Sequence, residues 1–444
     1  MKTYVLGASL WLMSAAWGFA QPTPPVMPLD RAVELALQNN KSIKLADART
    51  LAAEARSQEA KDRSLPQANA SLAYSRYSLL GPFSLGAPDA DGKSALTIPA
   101  GAFNATIGGL TVTKEVFGGF AEKSAEKSAE LLTKASRLDA KRNRSELVYT
   151  VKDAYYNIVK LVRSTSVIDQ SIKQFDEKER EARNLEKEGI VTANEVLKIQ
   201  LQKNNLQLSR LQVDKARQTA LYNFNLLVGL PEDQTISVDT TLANPVTTAE
   251  PLSNFVTQAV QSRPEVEANN LRLQSAQELL RNTRSSLYPH LGVSAGFNYI
   301  NPTAHLIPEA KSFVSAWNVG AGLTYNVGSL FNMKGKLNSA KLAINQASLQ
   351  GQQQTDQIRS EVVTAYNNYQ LALEQQTVIR TAVGQAQENY RLTESRFRNG
   401  LVGSTDLLEA NSFLLQAQLN VINATVDAQL AYQHLLKATG NNLN

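Results

Sequence analysis

Val151-Lys152-Asp153-Ala154-Tyr155-Tyr156-Asn157 and Val362-Val363-Thr364-Ala365-Tyr366-Asn367-Asn368 share their first, fourth, fifth and seventh residues across a displacement of 211. The same displacement carries Gly189, Val191 and Leu197 onto Gly400, Val402 and Leu408, and Gly229 onto Gly440. Nearer the N-terminus, Leu29, Ala36, Gln38 and Pro66 recur as Leu252, Ala259, Gln261 and Pro289, now displaced by 223. Anchors that recur in order make the chain two copies of one supersecondary unit. The change of register, 223 − 211 = 12, puts twelve extra residues in copy one after Pro66. The Gly/Pro/Asp-rich stretch Gly81 to Gly101 is the natural place, read as an enlarged exposed loop.

Each copy orders a helix, two strands, a very long helix, a tight break and another long helix. Helical periodicity dominates 29–64, about 120–187, 192–228 and their partners in copy two. The proline-free segment 120–187 would extend roughly 100 Å as one helix, so it must lie against other long helices. Leu147, Val151, Ala154, Ile158 and Val162 step by four, three, four and four. Ala410, Leu414, Ala417, Val421, Ala424, Ala428, Ala431 and Leu435 alternate four and three, a heptad seam rich enough in alanine for close backbone approach. Asn411, Gln416, Gln418, Asn423, Gln429 and Gln433 read as a second, wetted face of amides. The expected layout is repeat 1 over 29–229 with a β-hairpin at about 66–117, a connecting segment 230–251, and repeat 2 over 252–440 with a hairpin at about 289–328. A short tail, 441–444, follows.

The strands have period two. Leu291, Val293, Ala295, Phe297 and Tyr299 alternate with His290, Gly292, Ser294, Gly296 and Asn298. The return strand sets Phe313, Ser315, Trp317, Val319, Ala321, Leu323, Tyr325 and Val327 against Val314, Ala316, Asn318, Gly320, Gly322, Thr324 and Asn326. Copy one is weaker: Ala70, Leu72 and Tyr74 against Asn69, Ser71 and Ser75, then Phe103, Ala105 and Ile107 against Asn104 and Thr106. An apolar face backed by Gly, Asn and Thr is the dyad pattern of a transmembrane β-barrel, although a half-buried soluble sheet shows alternation too. Two hairpins supply only four strands, and an open sheet leaves unpaired edges that lipid cannot satisfy. Membrane strands here would therefore require several chains to share one barrel. On that reading Phe297, Tyr299, Trp317 and Tyr325 are membrane-facing aromatics; otherwise they pack in a core.

Residues 1–20 read as a cleavable secretory signal: Lys2, an apolar run Val5 to Ala20 and the small residues Gly18 and Ala20, followed by the Pro-rich segment 21–28. The chain is then exported, away from ATP. The remaining composition excludes more than it suggests. The chain has 444 residues, 19% charged and a net charge of +5, too modest for a dedicated nucleic-acid binder. With no cysteine and three scattered histidines, neither a metal centre, a cofactor nor a catalytic constellation is expected. Gly86 to Ser94 resembles a phosphate loop but has five residues between Gly86 and Gly92 where four are needed. Asp89 and Asp91 lack the other ligands of a calcium loop.

Over nearly all its mature length the chain resembles the TolC-like outer-membrane efflux protein family. The resemblance rests on the duplicated unit and on the helix-to-strand junctions Leu65-Pro66 and Tyr288-Pro289. It rests also on the turns Phe117-Gly118-Gly119 and Val327-Gly328-Ser329-Leu330, and on the closing Leu227-Val228-Gly229 and Ala438-Thr439-Gly440. The hairpin tips Glu188-Gly189-Ile190-Val191 and Asn399-Gly400-Leu401-Val402 complete the set. The resemblance implies a mixed α and transmembrane β fold: a homotrimer whose twelve-stranded barrel, held in outer-membrane lipid, continues as a long periplasmic α-helical barrel. It implies a passive exit duct in an efflux or type I secretion system, docked through Gly189, Ile190, Val191, Gly400, Leu401 and Val402 to a periplasmic adaptor. An inner-membrane pump would then supply the energy. It also implies a periplasmic entrance narrowed by Asp406 and Glu409, three apart on one helix face. The family has an arginine two residues past the tip glycine, where this chain has Val402, while Arg398 precedes Gly400. The copy-one equivalents of the acidic pair are Glu195 and Lys198. The reading that competes is an exported periplasmic coiled-coil structural or adaptor protein with a soluble sheet.

Overall fold

The computed structural model describes residues 26–79, 83–88, 94–98, 101–241, 250–302 and 314–441. The expected signal segment, most of the Pro-rich lead-in, the middle of the connecting segment, Phe313 and residues 442–444 lie outside them. Copy one runs β1 (Val26–Met27), α1 (Leu29–Asn39), α2 (Lys41–Asp62), β2 (Gln67–Leu79), β3 (Phe83–Pro88), β4 (Ser94–Ile98), β5 (Gly101–Gly118), α3 (Ala121–Lys187) and α4 (Ala193–Val228). After β6 (Ser237–Val238), copy two runs α5 (Leu252–Ser262), α6 (Pro264–Ser285), β7 (His290–Pro302), β8 (Val314–Thr324), the short α7 (Ser329–Asn332), α8 (Lys334–Arg398) and α9 (Ser404–Ala438). The described residues fall into two compact units. A tip unit draws on the described residues within 26–36, 151–241 and 378–426; a sheet unit draws on those within 37–150, 250–377 and 427–441.

In the sheet unit, four strands pair antiparallel in the order β2-β5-β7-β8, so that the β5–β7 pairing joins the hairpins of the two copies. Register sets the faces, because side chains alternate across a strand. Ala70 opposes Leu110, Leu110 opposes Phe297, and Phe297 opposes Trp317; Leu72, Gly108, Tyr299 and Ser315 form the next row. Leu72, Trp317, Val319 and Leu323 are each 70% or more exposed on this face. Copy one departs from the expected phase. Ile107 pairs with Ala73 and Ile300, on the face opposite to Leu72 and Trp317, while Leu110 and Val112 carry the apolar face of β5. The weak alternation over Phe103 to Ile107 sets Ile107 on the apolar face; pairing with β2 and β7 fixes the opposite phase. The stretch expected as a loop holds its own short hairpin, with Phe83 paired to Ile98 and Leu85 to Leu96.

Val151, Tyr155, Val362 and Ala365, four of the repeated anchors, are core residues. Val362, Ala365, Ile358 and Tyr369 on α8 meet Phe255 and Ala259 on α5 and Leu435 and Ala438 on α9 in one apolar cluster of the sheet unit. In the tip unit Val151 is fully buried and Tyr155 nearly so. The Tyr155 hydroxyl donates to the Met27 carbonyl at 2.9 Å and accepts from the Asp239 backbone N–H at 2.9 Å, which holds the parallel β1–β6 bridge against α3. At the start of α3, Gly119 sits at φ +60°, and a Cβ there would approach the Ser285 carbonyl oxygen to 2.7 Å; only glycine allows this junction.

Candidate functional site: the paired helix tips

Two helical hairpins end in the tip unit, and the same device stops the first helix of each. Gly189 and Gly400 adopt left-handed φ values of 73° and 69°. The Gly189 and Ile190 amides donate to the carbonyls of Glu186 and Leu185, each at 2.9 Å; Gly400 and Leu401 donate to Phe397 and Arg396, also at 2.9 Å. This is the Schellman arrangement, which satisfies the last helical carbonyls and reverses the chain.

Beneath the turns the four helices share one apolar cluster. Phe175 and Ala182 from α3, Val196, Ile199 and Leu206 from α4, Phe397 from α8 and Leu407 from α9 are buried together. Val402 packs against this cluster, so the position where an arginine was expected serves the core. Val191 is half-buried. Ile190 and Leu401 instead project, 56% and 73% exposed, one apolar knob on each tip.

A charge lattice ties α3 to α8. Buried Lys178 reaches Glu181 at 3.0 Å and Glu394 at 2.6 Å, and Arg398 reaches the same two carboxylates at 3.4 and 3.2 Å. Arg398 is thereby engaged within its own chain. Between α3 and α4, Glu179 accepts from Gln200 at 2.7 Å, Lys203 at 2.8 Å and Arg183 at 2.8 Å. These donors, Gln200 foremost, hold its carboxyl at about 2. Burial, reinforced by the nearby Glu394 carboxylate, pushes the Tyr390 phenol up to about 12.

The copy-one pair Glu195 and Lys198 joins the tips. The Glu195 carboxylate accepts from the Ser404 backbone N–H at 2.8 Å and from the Ser404 hydroxyl, and Lys198 donates to Glu195 at 3.0 Å and to Thr405 at 3.1 Å. A side chain of α4 thus caps the N-terminus of α9, satisfying an otherwise orphan donor. The Ser404 hydroxyl is the main cause that keeps the Glu195 carboxyl below the usual carboxylate range. Sequence spacing gives no sign of this contact, whose partners are 209 residues apart.

Asp406 and Glu409 are exposed on the first turns of α9, while Leu407 and Ala410 beside them are buried. The buried pair fixes which face of α9 meets the cluster, and so turns both carboxylates away from it. Among the described residues neither carboxylate is ion-paired. In the sheet unit, Phe297 and Trp317 are direct neighbours with Tyr299 one row on, and Tyr325 follows the end of β8. The expected amide face of α9 is interrupted: Asn411 and Gln429 are buried, with Asn411 bonded to Tyr390.

The family model described as "Outer membrane efflux protein" matches residues 32–230 and 255–441, both copies of the repeat. The "Outer membrane efflux protein BepC" of Brucella suis is 20% identical over 340 residues, covering 75% of this chain and 71% of that one. The outer membrane protein VceC of Vibrio cholerae has the same fold at a TM-score of 0.77 and 18% identity, over 94% of this chain and 97% of that one. The Campylobacter jejuni CmeC outer membrane channel matches at 0.77 and 17% identity, over 99% and 94%. With both repeats matched and the duplicated architecture shared almost end to end, the chain belongs to the outer membrane efflux protein family, the TolC-like channels of the bacterial outer membrane.

Proposed function

We propose that three copies of this chain close one twelve-stranded barrel and form the passive exit duct of a tripartite efflux or type I secretion system. The chain is a channel protein, not an enzyme. The observation that carries the stoichiometry is the open sheet: β2 and β8 each pair on one side only among the described residues, beside an exposed apolar face. Lipid contact requires both edges to be satisfied, and identical chains can do so in a ring because edge β2 of one copy can meet edge β8 of the next. Three four-stranded sheets give twelve strands, above the eight at which single-chain barrels begin. Phe297, Tyr299, Trp317 and Tyr325 then face lipid and its interface.

On the same reading Ile190 and Leu401 are the apolar contacts for a periplasmic adaptor, with Gly189, Val191, Gly400 and Val402 shaping the turns. Six carboxylates, Asp406 and Glu409 from each copy, gather at the entrance and favour cations. Energy comes from the inner-membrane pump. Planar-bilayer recording of the purified oligomer tests the duct: discrete conductance steps are expected, and a protein recovered as a soluble monomer without detergent contradicts it. A periplasmic coiled-coil adaptor with a soluble sheet finds no support in the family.

A further inference from the structure

The polar face of the sheet is almost free of charge. In β2, β5, β7 and β8 it carries Asn69, Ser71, Thr111, Thr113, Ser294, Asn298, Asn318 and Thr324 among glycines, alanines and the pair Ile107 and Ile300. Glu115 and His290 are its only carboxylate and imidazole among the described residues, and no lysine or arginine joins them there. They touch: His290 Nδ1 lies 3.2 Å from Glu115 Oε1, both side chains being 38% exposed.

Two local features build this contact. A bulge between Glu115 and Phe117 shifts the β5 register, so that His290 opposes Gly118. Bulges re-aim side chains in this way. The Glu115 carboxylate then lies over Gly118, in the space that a Cβ at that position would take. The pair borders a cleft of about 480 Å³ at the helix end of the sheet, whose other charged residues are Arg63, Lys114 and Glu122. Those three are occupied elsewhere. Arg63 pairs with Glu59 at 2.8 Å, and Lys114 pairs with Glu122 at 3.6 Å and donates to the Ser64 carbonyl.

We propose that the Glu115–His290 pair is a pH-dependent charge-selectivity ring where the barrel bore meets the helices. The inference rests on the duct reading, which turns the apolar face to lipid and this face to the bore. Three copies place three such pairs around one opening. With neutral imidazoles the ring carries three negative charges; with protonated imidazoles it carries none. Imidazole is the side chain whose charge ordinarily changes between pH 5 and 8, and rings of carboxylates set cation preference in channels. The permeant species it discriminates are small ions and charged solutes passing a sheet face on which, among the described residues, no other charged side chain lies.

The test is the reversal potential of the purified oligomer in planar bilayers under a KCl gradient, at pH 8 and pH 5. The wild type should lose cation preference several-fold between the two. His290→Gln, which keeps a polar partner for Glu115 but cannot titrate there, should hold its pH 8 preference at pH 5. His290→Lys should show the weaker preference at both, and Glu115→Gln should start below the wild-type preference at pH 8. A pH step of wild-type size in His290→Gln overturns the inference, as does wild-type preference at pH 8 in Glu115→Gln. Absence of any conductance in the wild type overturns the duct reading, a result distinct from either.

Discussion

Replacing Glu195 with alanine should loosen the start of α9 without unfolding the protein. The substitution removes a carboxylate that accepts from both the amide and the hydroxyl of Ser404 and from Lys198. A hydrogen bond to a charged group contributes ~1.5–3 kcal/mol. A helix N-cap contributes ~1 kcal/mol. The two estimates describe the same contacts and do not add, and the Glu195 side chain keeps 20% of its exposure. A local loss of about 2 kcal/mol follows, roughly a 30-fold rise in the open population. Hydrogen exchange of the intact oligomer at neutral pH reads it directly, as faster exchange confined to the peptides over Ser404 to Leu407 at the start of α9. Glu195→Gln, which keeps an acceptor but no charge, should fall between. The pH dependence has a definite sign. The folded carboxyl lies below its ordinary value, so the contact stabilises fully above the unfolded carboxylate range and is lost as pH falls through the folded value. The gap between wild type and Glu195→Ala should therefore close in acid. Exchange rates in Glu195→Ala equal to wild type at pH 7 would refute the cap.

Three further outcomes follow from the same geometry. Arg263 is buried and bonded to Glu265 at 2.8 Å and Glu361 at 2.6 Å, so Arg263→Ala strands the buried Glu265 carboxylate, Glu361 keeping Lys437 at 4.0 Å, and should cost ~3 kcal/mol; a lower melting temperature of the detergent-solubilised oligomer measures it. Ile190→Asp combined with Leu401→Asp should abolish cross-linking to the adaptor while leaving the oligomer and its conductance intact. Asp406→Ala with Glu409→Ala should weaken cation preference at pH 8, and unchanged selectivity in that double variant removes the pair from the entrance.

The repeat carried most of the architecture, because many of its anchors are places where backbone geometry or burial leaves little choice. Gly189 and Gly400, and likewise Gly229 and Gly440, are left-handed helix stops at matched positions. The seam from Ala410 to Leu435 shows as alternation because Ala410, Leu414, Ala417, Ala424, Ala428 and Leu435 are all buried. Where symmetry between the copies fails, the sequence is mute. Asn40 caps α2 by accepting from the Ser42 amide at 2.8 Å, whereas its equivalent Arg263 holds an ionic cluster instead. The face of β5 read from its own residues is the wrong one, because its alternation is weak and pairing with β2 and β7 sets the phase. Val402 was visible as a departure from the family pattern, but its place under the tip depends on Phe397 and Leu407 arriving from other helices. The Glu195–Ser404 cap and the Glu115–His290 contact are likewise products of long-range pairing, which no local spacing encodes.

On the proposed trimeric reading, this open sheet is completed by copies of itself, edge to edge, in a closed ring of three. The absence of native cysteine makes the test clean. Ser71→Cys on β2 and Ala316→Cys on β8 lie in one row of the polar face, at the sheet's two edges. Treating outer membranes that carry the double variant with a flexible bis-maleimide should give cross-linked products that climb to three chains and stop. Products that remain monomeric, or a ladder that continues past three, would contradict the account.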